Sequence, residues 1–194
     1  MSTDASDEIM EATYRALCKH GNADLTMQRI ANESSMSTAA FHYHFETKEE
    51  LLNAFLDHLL SRFEERLACE AGDPRERLAA FLDAVFEPAA TADSDFPIAL
   101  FEIKAQAPYQ DTYRERLIEM DERMRDVVAN AVRDGIEASH FDTVDPATVA
   151  RFVITAINGA HSRQVALDED PTETRQLVED YLEQQLGWTP GVVA

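Results

Sequence analysis

Helix punctuation constrains this chain more than any other feature. Asp73-Pro74-Arg75-Glu76 and Asp170-Pro171-Thr172-Glu173 each place a capping aspartate before a proline at the first helical position, with a glutamate set to reach back. Asp145-Pro146 repeats the first two elements, and Thr47-Lys48-Glu49-Glu50 is a capping box without the proline. Gly21, Gly72, Gly135 and Gly187 each follow a periodic apolar segment and read as residues just past a helix end.

Between these signals the apolar residues recur at helical spacing. Ile9, Thr13, Ala16 and Leu17 form one stripe, and Leu52, Phe55, Leu59, Phe63 and Leu67 another. Leu78, Phe81, Leu82 and Val85 follow Pro74, while Tyr113, Leu117, Met120, Met124 and Val127 follow Pro108. Val149, Phe152, Val153, Ala156, Ile157 and Ala160 follow Pro146, and Leu177, Tyr181, Leu182 and Leu186 complete the set. No segment alternates with period two for long enough to make a strand, so the chain is expected to be all-α with about nine helices. The helix from Thr47 to about Cys69 should run roughly 34 Å at 1.5 Å per residue, long enough to join an N-terminal module rigidly to the rest. The expected division is residues 1–50 and residues 51–194.

Charge narrows the setting. The net charge is −20, and only three residues are lysine: Lys19, Lys48 and Lys104. Abundant surface carboxylate with scarce lysine suits a protein working in molar salt, where screening acts within roughly 3 Å. A halophilic source is therefore expected, against the plainer reading of solvated acidic helix faces. Cys18 and Cys69 fit neither a metal-ligand spacing nor a disulfide framework and read as buried thiols of a reducing compartment. With no apolar run approaching the roughly 20 residues that cross a bilayer, and no segment like a signal peptide, a soluble cytoplasmic protein is expected.

Residues 26–45 carry the function. Thr26 can cap a short helix whose Ile30 and Ala31 face inward, Ser34 and Ser35 make a turn, Met36 plugs the corner, and Ser37 caps a second helix. This is the pattern of a helix-turn-helix. The second helix would turn Phe41 and Phe45 to the core and present Ser37, Thr38, Ala39, His42 and Tyr43 outward, small hydroxyls for base edges and His and Tyr for phosphates. Thr26, Gln28 and Arg29 of the first helix join them as candidate DNA contacts. Lys48, at the start of the next helix, would grip a phosphate.

From Ile9 to Leu52, with Ala12, Gly21, Thr26, Ile30-Ala31, Ser37, His44-Phe45, Lys48-Glu49 and Leu51-Leu52 in place, the chain resembles the DNA-binding domain of TetR/AcrR-type regulators over about a quarter of its length. The resemblance implies an N-terminal three-helix helix-turn-helix domain followed by a C-terminal helical ligand-binding and dimerisation domain. It implies a ligand-responsive repressor, in which an effector shifts the long helix from Thr47 until two recognition helices no longer fit successive major grooves. Three positions depart from the family pattern. Ser35 replaces the usual turn glycine and is expected to hold an unfavourable backbone conformation. Ala39 replaces a frequent glycine, and His42 replaces a phosphate-contacting tyrosine.

Residues 1–50 hold four basic residues against nine acidic ones, unlike a typical DNA binder, yet residues 34–45 hold no acid. Acid is thus excluded from the docking face, and operator binding should depend on salt less steeply than for a basic domain, or gain from it. The competing reading is a helical small-molecule sensor or interaction protein that keeps the helix-turn-helix as a scaffold without binding DNA. Activation in place of repression is a third reading that the residues allow.

In the C-terminal part, Phe81, Phe86, Phe96, Phe101, Tyr113, Met120, Met124, Phe152 and Ile157 could line an apolar cavity, with Asn158, His161, Gln106 and Glu102 turned inward to orient a ligand. The same spacing is also that of plain core residues. The effector is expected to be small and largely apolar, with a positive charge to suit the surrounding acid. Residues 146–167 hold no acid, which suits a homodimer built through the helices near 146–167 and 171–187 as a four-helix bundle.

No His-Glu-x-x-His, Gly-rich phosphate loop or Gly-x-Ser-x-Gly is present, and His42 and His44 point to different faces of a helix. No enzymatic activity, metal site or cofactor is expected. The expected partners are an operator duplex, a small-molecule effector and a second copy of the chain, with no membrane.

Overall fold

The computed structural model describes residues 3–68, 72–86 and 96–188. These form α1 (Thr3–His20), α2 (Met27–Asn32), α3 (Thr38–His44), α4 (Lys48–Ala68), α5 (Pro74–Phe86), α6 (Phe96–Gln106), α7 (Asp111–Glu137), α8 (Pro146–Leu167) and α9 (Pro171–Leu186), with no strand among the described residues. The all-α expectation and the count of helices both hold. None of these helices is long and apolar enough to cross a membrane.

The caps read from sequence are in place because each is a local bond. Asp145 accepts from the N–H groups of Ala147 and Thr148 with Pro146 at the first helical position, and Asp170 accepts from Thr172 before Pro171. Those N–H donors, with the Thr148 and Thr172 side chains foremost, hold both carboxyls below the usual aspartate range. Asp73 is driven lower, to about 2, chiefly by its bond to the Arg75 guanidinium. Gly187 ends α9 in the left-handed region at φ +64°.

Gly135 is a correction. It does not end a helix; α7 runs through it to Glu137, and the left-handed residue that follows is Ser139 at φ +59°. A Cβ at 135 would lie 2.1 Å from the Phe141 ring, so this glycine makes room for an aromatic side chain. Gly72 precedes Asp73 with φ outside the left-handed region. The end of α4 at Ala68 is followed by residues outside the description, which include Cys69; the side chains of Phe63, Leu67 and Phe96 also fall outside it.

The described residues form two compact units, one of residues 3–61 and 96–118 and the other of residues 62–68, 72–86 and 119–188. In the first, α1, α2, α3, the start of α4, α6 and the start of α7 enclose Ile9, Leu17, Ile30, Phe41, Leu52, Phe55, Ile103 and Tyr113. Burial, with the Glu49 charge added, pushes the Tyr113 hydroxyl up to about 12. The buried Thr13 hydroxyl donates to the Ile9 carbonyl at 2.8 Å, which is how a polar residue fits the apolar stripe of α1.

In the second unit, Leu78, Phe81, Leu82 and Phe86 of α5 meet Val128 and Val132 of α7, Val149, Val153, Ile154 and Ile157 of α8, and Val178, Leu182 and Leu186 of α9 in one apolar cluster that also takes in Phe141 and Trp188. Arg77 pairs with Asp134 and Arg175 with Asp83 at the margins. On α9 the core position falls to Val178, while Leu177, part of the apolar stripe read from the sequence, is 66% exposed.

Candidate nucleic-acid interface and sensor residues

The helix-turn-helix is assembled from side-chain to backbone bonds. The Thr26 hydroxyl accepts from Arg29 N–H at 3.2 Å to start α2, and the Ser37 hydroxyl accepts from Ala40 N–H at 3.2 Å to start α3. Between them the Ser34 hydroxyl donates to the Ala31 carbonyl at 3.1 Å and accepts from Met36 N–H at 3.0 Å, closing the turn. Ile30 and Phe41 are fully buried, with Phe45 nearly so, and this fixes which face of α3 is left outside.

Ser35, expected to be strained, is not. Its backbone lies outside the left-handed region, and both its N–H and its hydroxyl donate to Glu8 Oε1 of α1, at 2.9 and 2.6 Å. Those two bonds, the hydroxyl first, hold the Glu8 carboxyl below the usual glutamate range. A carboxylate from α1 thus does the work of positioning the turn that a glycine would do by conformational freedom.

The outward face of α3 carries Ser37, Ala39, His42 and Tyr43, all exposed, with Tyr43 at 86%. Thr38 is half-buried and its hydroxyl donates to Gln28 Oε1 at 3.0 Å, while the Gln28 amide donates to Asn32 Oδ1 at 3.1 Å. Gln28 and Thr38 therefore form one linked pair across the two helices. The Thr26 hydroxyl is already engaged as a cap.

Each of the four Lys and Arg residues in residues 1–50 is bonded within the unit. Arg15 donates to the Glu33 carbonyl at 2.7 Å and Lys19 to the Glu33 carboxylate at 2.8 Å, the latter bond holding that carboxyl low. Arg29 donates to the Asp24 carbonyl, and Lys48 to the Asn22 carbonyl at 3.4 Å. These cations brace the fold around α1, α2 and the start of α4.

Sequence reasoning placed Glu102 beside a ligand; the structure places it on the turn after α1. Its Oε2 accepts from the N–H groups of Asn22 and of Ala23, the second at 3.3 Å. Gly21 takes φ +66° there, and a Cβ on it would stand 2.9 Å from the same carboxylate oxygen. Asn22 is the meeting point, since its N–H goes to α6 and its carbonyl to Lys48 of α4. Nothing local in the sequence announces a contact between residues 80 positions apart.

The sensor candidates separate into groups. Phe81, Phe86 and Ile157 are buried together in the second unit with Met124 packed against them, and Met120 is half-buried on α7. His161 Nε2 lies 3.1 Å from the Val85 carbonyl, with its ring 6.5 Å from that of Phe86. Tyr113 and the 38% exposed Phe101 belong to the first unit instead. Phe152 and Asn158 are exposed on α8, where the Phe152 ring stacks on Tyr181 of α9 at 3.8 Å. Gln106 is exposed at the end of α6.

Comparison with known proteins agrees with this anatomy. Residues 9–55 match the family model of bacterial regulatory proteins of the tetR family, and residues 74–187 match that of the BetI-type transcriptional repressor C-terminal domain. The HTH-type transcriptional regulator BetI of Brucella anthropi is 34% identical over 82 residues, covering 41% of this chain and 42% of that protein. The corresponding BetI of Stenotrophomonas maltophilia is 32% identical over 85 residues, covering 42% and 43%. The chain thus matches about two fifths of the length of these curated relatives. A TetR transcription regulator of Haloarcula marismortui is 41% identical and superposes with a TM-score of 0.88 over 95% of this chain and 99% of its own. A transcriptional regulator of Saccharomonospora viridis, solved in complex with choline, shares the fold at a TM-score of 0.82 and 20% identity over 95% and 98%. With a helix-turn-helix matched at one end and more than half of the chain matched by the repressor C-terminal model, the protein belongs to the TetR family of transcriptional regulators, with a C-terminal domain of the BetI type.

Proposed function

We propose that the protein is a cytoplasmic, ligand-responsive repressor that binds a palindromic operator as a homodimer, with residues 1–50 reading DNA and residues 51–194 sensing the effector and dimerising. The observation that carries the reading is the outward face of α3, where Ser37, Ala39, His42 and Tyr43 are exposed in a stretch without acid. A dimer is supported by the outer surface of α8 and α9. Phe152 stacked on Tyr181, Leu167 and Leu177 are exposed there, α8 carries no acid, and Gly159 has open space where a Cβ would stand.

The effector reading is a small, largely apolar molecule with a cationic group, suited to an acidic protein whose buried aromatics offer ring faces. Choline, bound by the Saccharomonospora regulator, is the natural first probe. The Haloarcula relative and the net charge of −20 support a protein working in molar salt. One observation favours a second reading, a sensor without DNA binding: the four Lys and Arg residues of the reading head are all bonded internally.

A footprint on the DNA flanking its own gene, in about 2 M and about 0.2 M KCl, separates the two, because screening changes strongly over that range. Protection of a short palindrome in high salt, relieved by choline or by another small cation, is the expected result. A folded dimer that protects nothing at either salt overturns the operator reading.

A further inference from the structure

We propose that operator binding takes up protons from solution and that His42 is the residue that carries them to the DNA, a proposal that rests on the operator reading above. Duplex DNA presents a phosphate charge every 1.7 Å or so of its axis, and binding is driven by cations brought against it. In this protein the four Lys and Arg of residues 1–50 are engaged by Glu33, Asp24 and the Asn22 carbonyl. The exposed face of the reading helix is left with hydroxyls, a methyl group, a phenol and imidazole.

Imidazole is the side chain whose charge changes between about pH 5 and pH 8. His42 is exposed in the last turn of α3. Charged and titratable groups stand on each neighbouring element, with Glu46 and Glu49 exposed. On α2, Arg29 is bonded to Asp24, and Glu33, which follows that helix, is held by Lys19 and Arg15. On α1, Glu8 is held by Ser35. Towards α4 stand Glu46, Glu49, Glu50 and Lys48, of which Glu50 accepts from Glu46 N–H and Lys48 donates to Asn22. On α3 itself, Tyr43 is exposed and the half-buried His44 sets its ring edge-on to Tyr43 at 5.3 Å. No acid occurs from residue 34 to residue 45 to neutralise the face.

A phosphate docked against this face favours the imidazolium, so each subunit that binds draws a proton onto His42. Affinity then falls as pH rises, by the linkage between proton uptake and binding. The two subunits of a dimer act together.

The test is an anisotropy titration of the footprinted operator duplex at fixed KCl, between about pH 6 and about pH 8, the range in which imidazole titrates. The wild type should lose affinity several-fold across that range, in the direction that proton uptake on binding requires. His42→Gln should bind weakly with a flat profile, His42→Lys tightly with a flat profile, and His44→Gln should keep the wild-type slope. A flat wild-type profile, or a slope that survives in His42→Gln and vanishes in His44→Gln, overturns the proposal while leaving operator binding intact. Absence of binding at every pH overturns the operator reading and this proposal together.

Discussion

In the unit that carries the helix-turn-helix, the bonds that tie distant segments together are polar. Glu8 reaches Ser35, Arg15 and Lys19 reach Glu33, and Glu102 reaches the turn after α1, over an apolar core that includes Ile9, Leu17, Ile30, Phe41, Leu52 and Phe55. In the other unit, α5, α7, α8 and α9 meet in one large apolar cluster, and the ion pairs of Arg77 and Arg175 lie at its margins. Helices of six and seven residues such as α2 and α3 cannot bury enough apolar surface to fix their own geometry. Directional bonds supply it instead, while helices of 13 to 27 residues have apolar stripes long enough to hold by packing.

The largest effect that could break this comparison is in the apolar cluster. Phe81 is fully buried, and Phe81→Ala should cost about 3–5 kcal/mol in urea unfolding through lost burial and the cavity left behind. A cost under about 1 kcal/mol, the range of an exposed site, would mean that the second unit is not held by packing.

A matched pair of glycines sharpens the comparison at a smaller scale. Gly21 and Gly187 sit at φ +66° and +64°, so an alanine at either meets the same backbone penalty of about 1–2 kcal/mol. At Gly187 the nearest atom to a new Cβ is Asp142 Oδ2 at 3.5 Å, an ordinary contact. At Gly21 it is Glu102 Oε2 at 2.9 Å, and the glutamate can move aside only by releasing the N–H groups of Asn22 and Ala23. Gly21→Ala should therefore cost more than Gly187→Ala by about 2 kcal/mol, two lost hydrogen bonds, and the excess should disappear in a Glu102→Ala background. Equal costs would show that the Glu102 clasp contributes nothing to the first unit.

The same contrast explains what could be read from the chain alone. Capping by Thr26, Ser37, Asp145 and Asp170 was legible because donor and acceptor lie two or three residues apart, and the core face of α3 because Phe41 and Phe45 are spaced by one turn. Ser35 was misjudged because its partner is 27 residues upstream, and Glu102 because its partner is 80 away. Gly135 was misjudged because a glycine that ends a helix and one that admits a ring look alike until the Phe141 ring is in place. Phe152 and Leu177 obey the helical spacing of α8 and α9 yet are exposed, since periodicity marks an apolar stripe without saying what covers it.

The smallest expected effect concerns pH and tests whether the polar clasp is ionic. Glu8 is held below the usual glutamate range by the hydroxyl and N–H of Ser35. A carboxyl whose folded value is lowered contributes stability that is complete above its unfolded value, near 4.3, and is lost as pH falls through the folded value. Glu8→Gln should accordingly lower Tm by a constant amount from about pH 8 to about pH 5 and converge on the wild type below that, as the wild-type carboxyl takes up a proton. Phe81→Ala, which removes packing and no charge, should stay offset from the wild type by the same amount across the whole range. If the Glu8→Gln offset persists unchanged at about pH 3, the clasp acts through shape and neutral hydrogen bonding, and the contrast between an ion-braced reading head and a packed sensor bundle loses its electrostatic half.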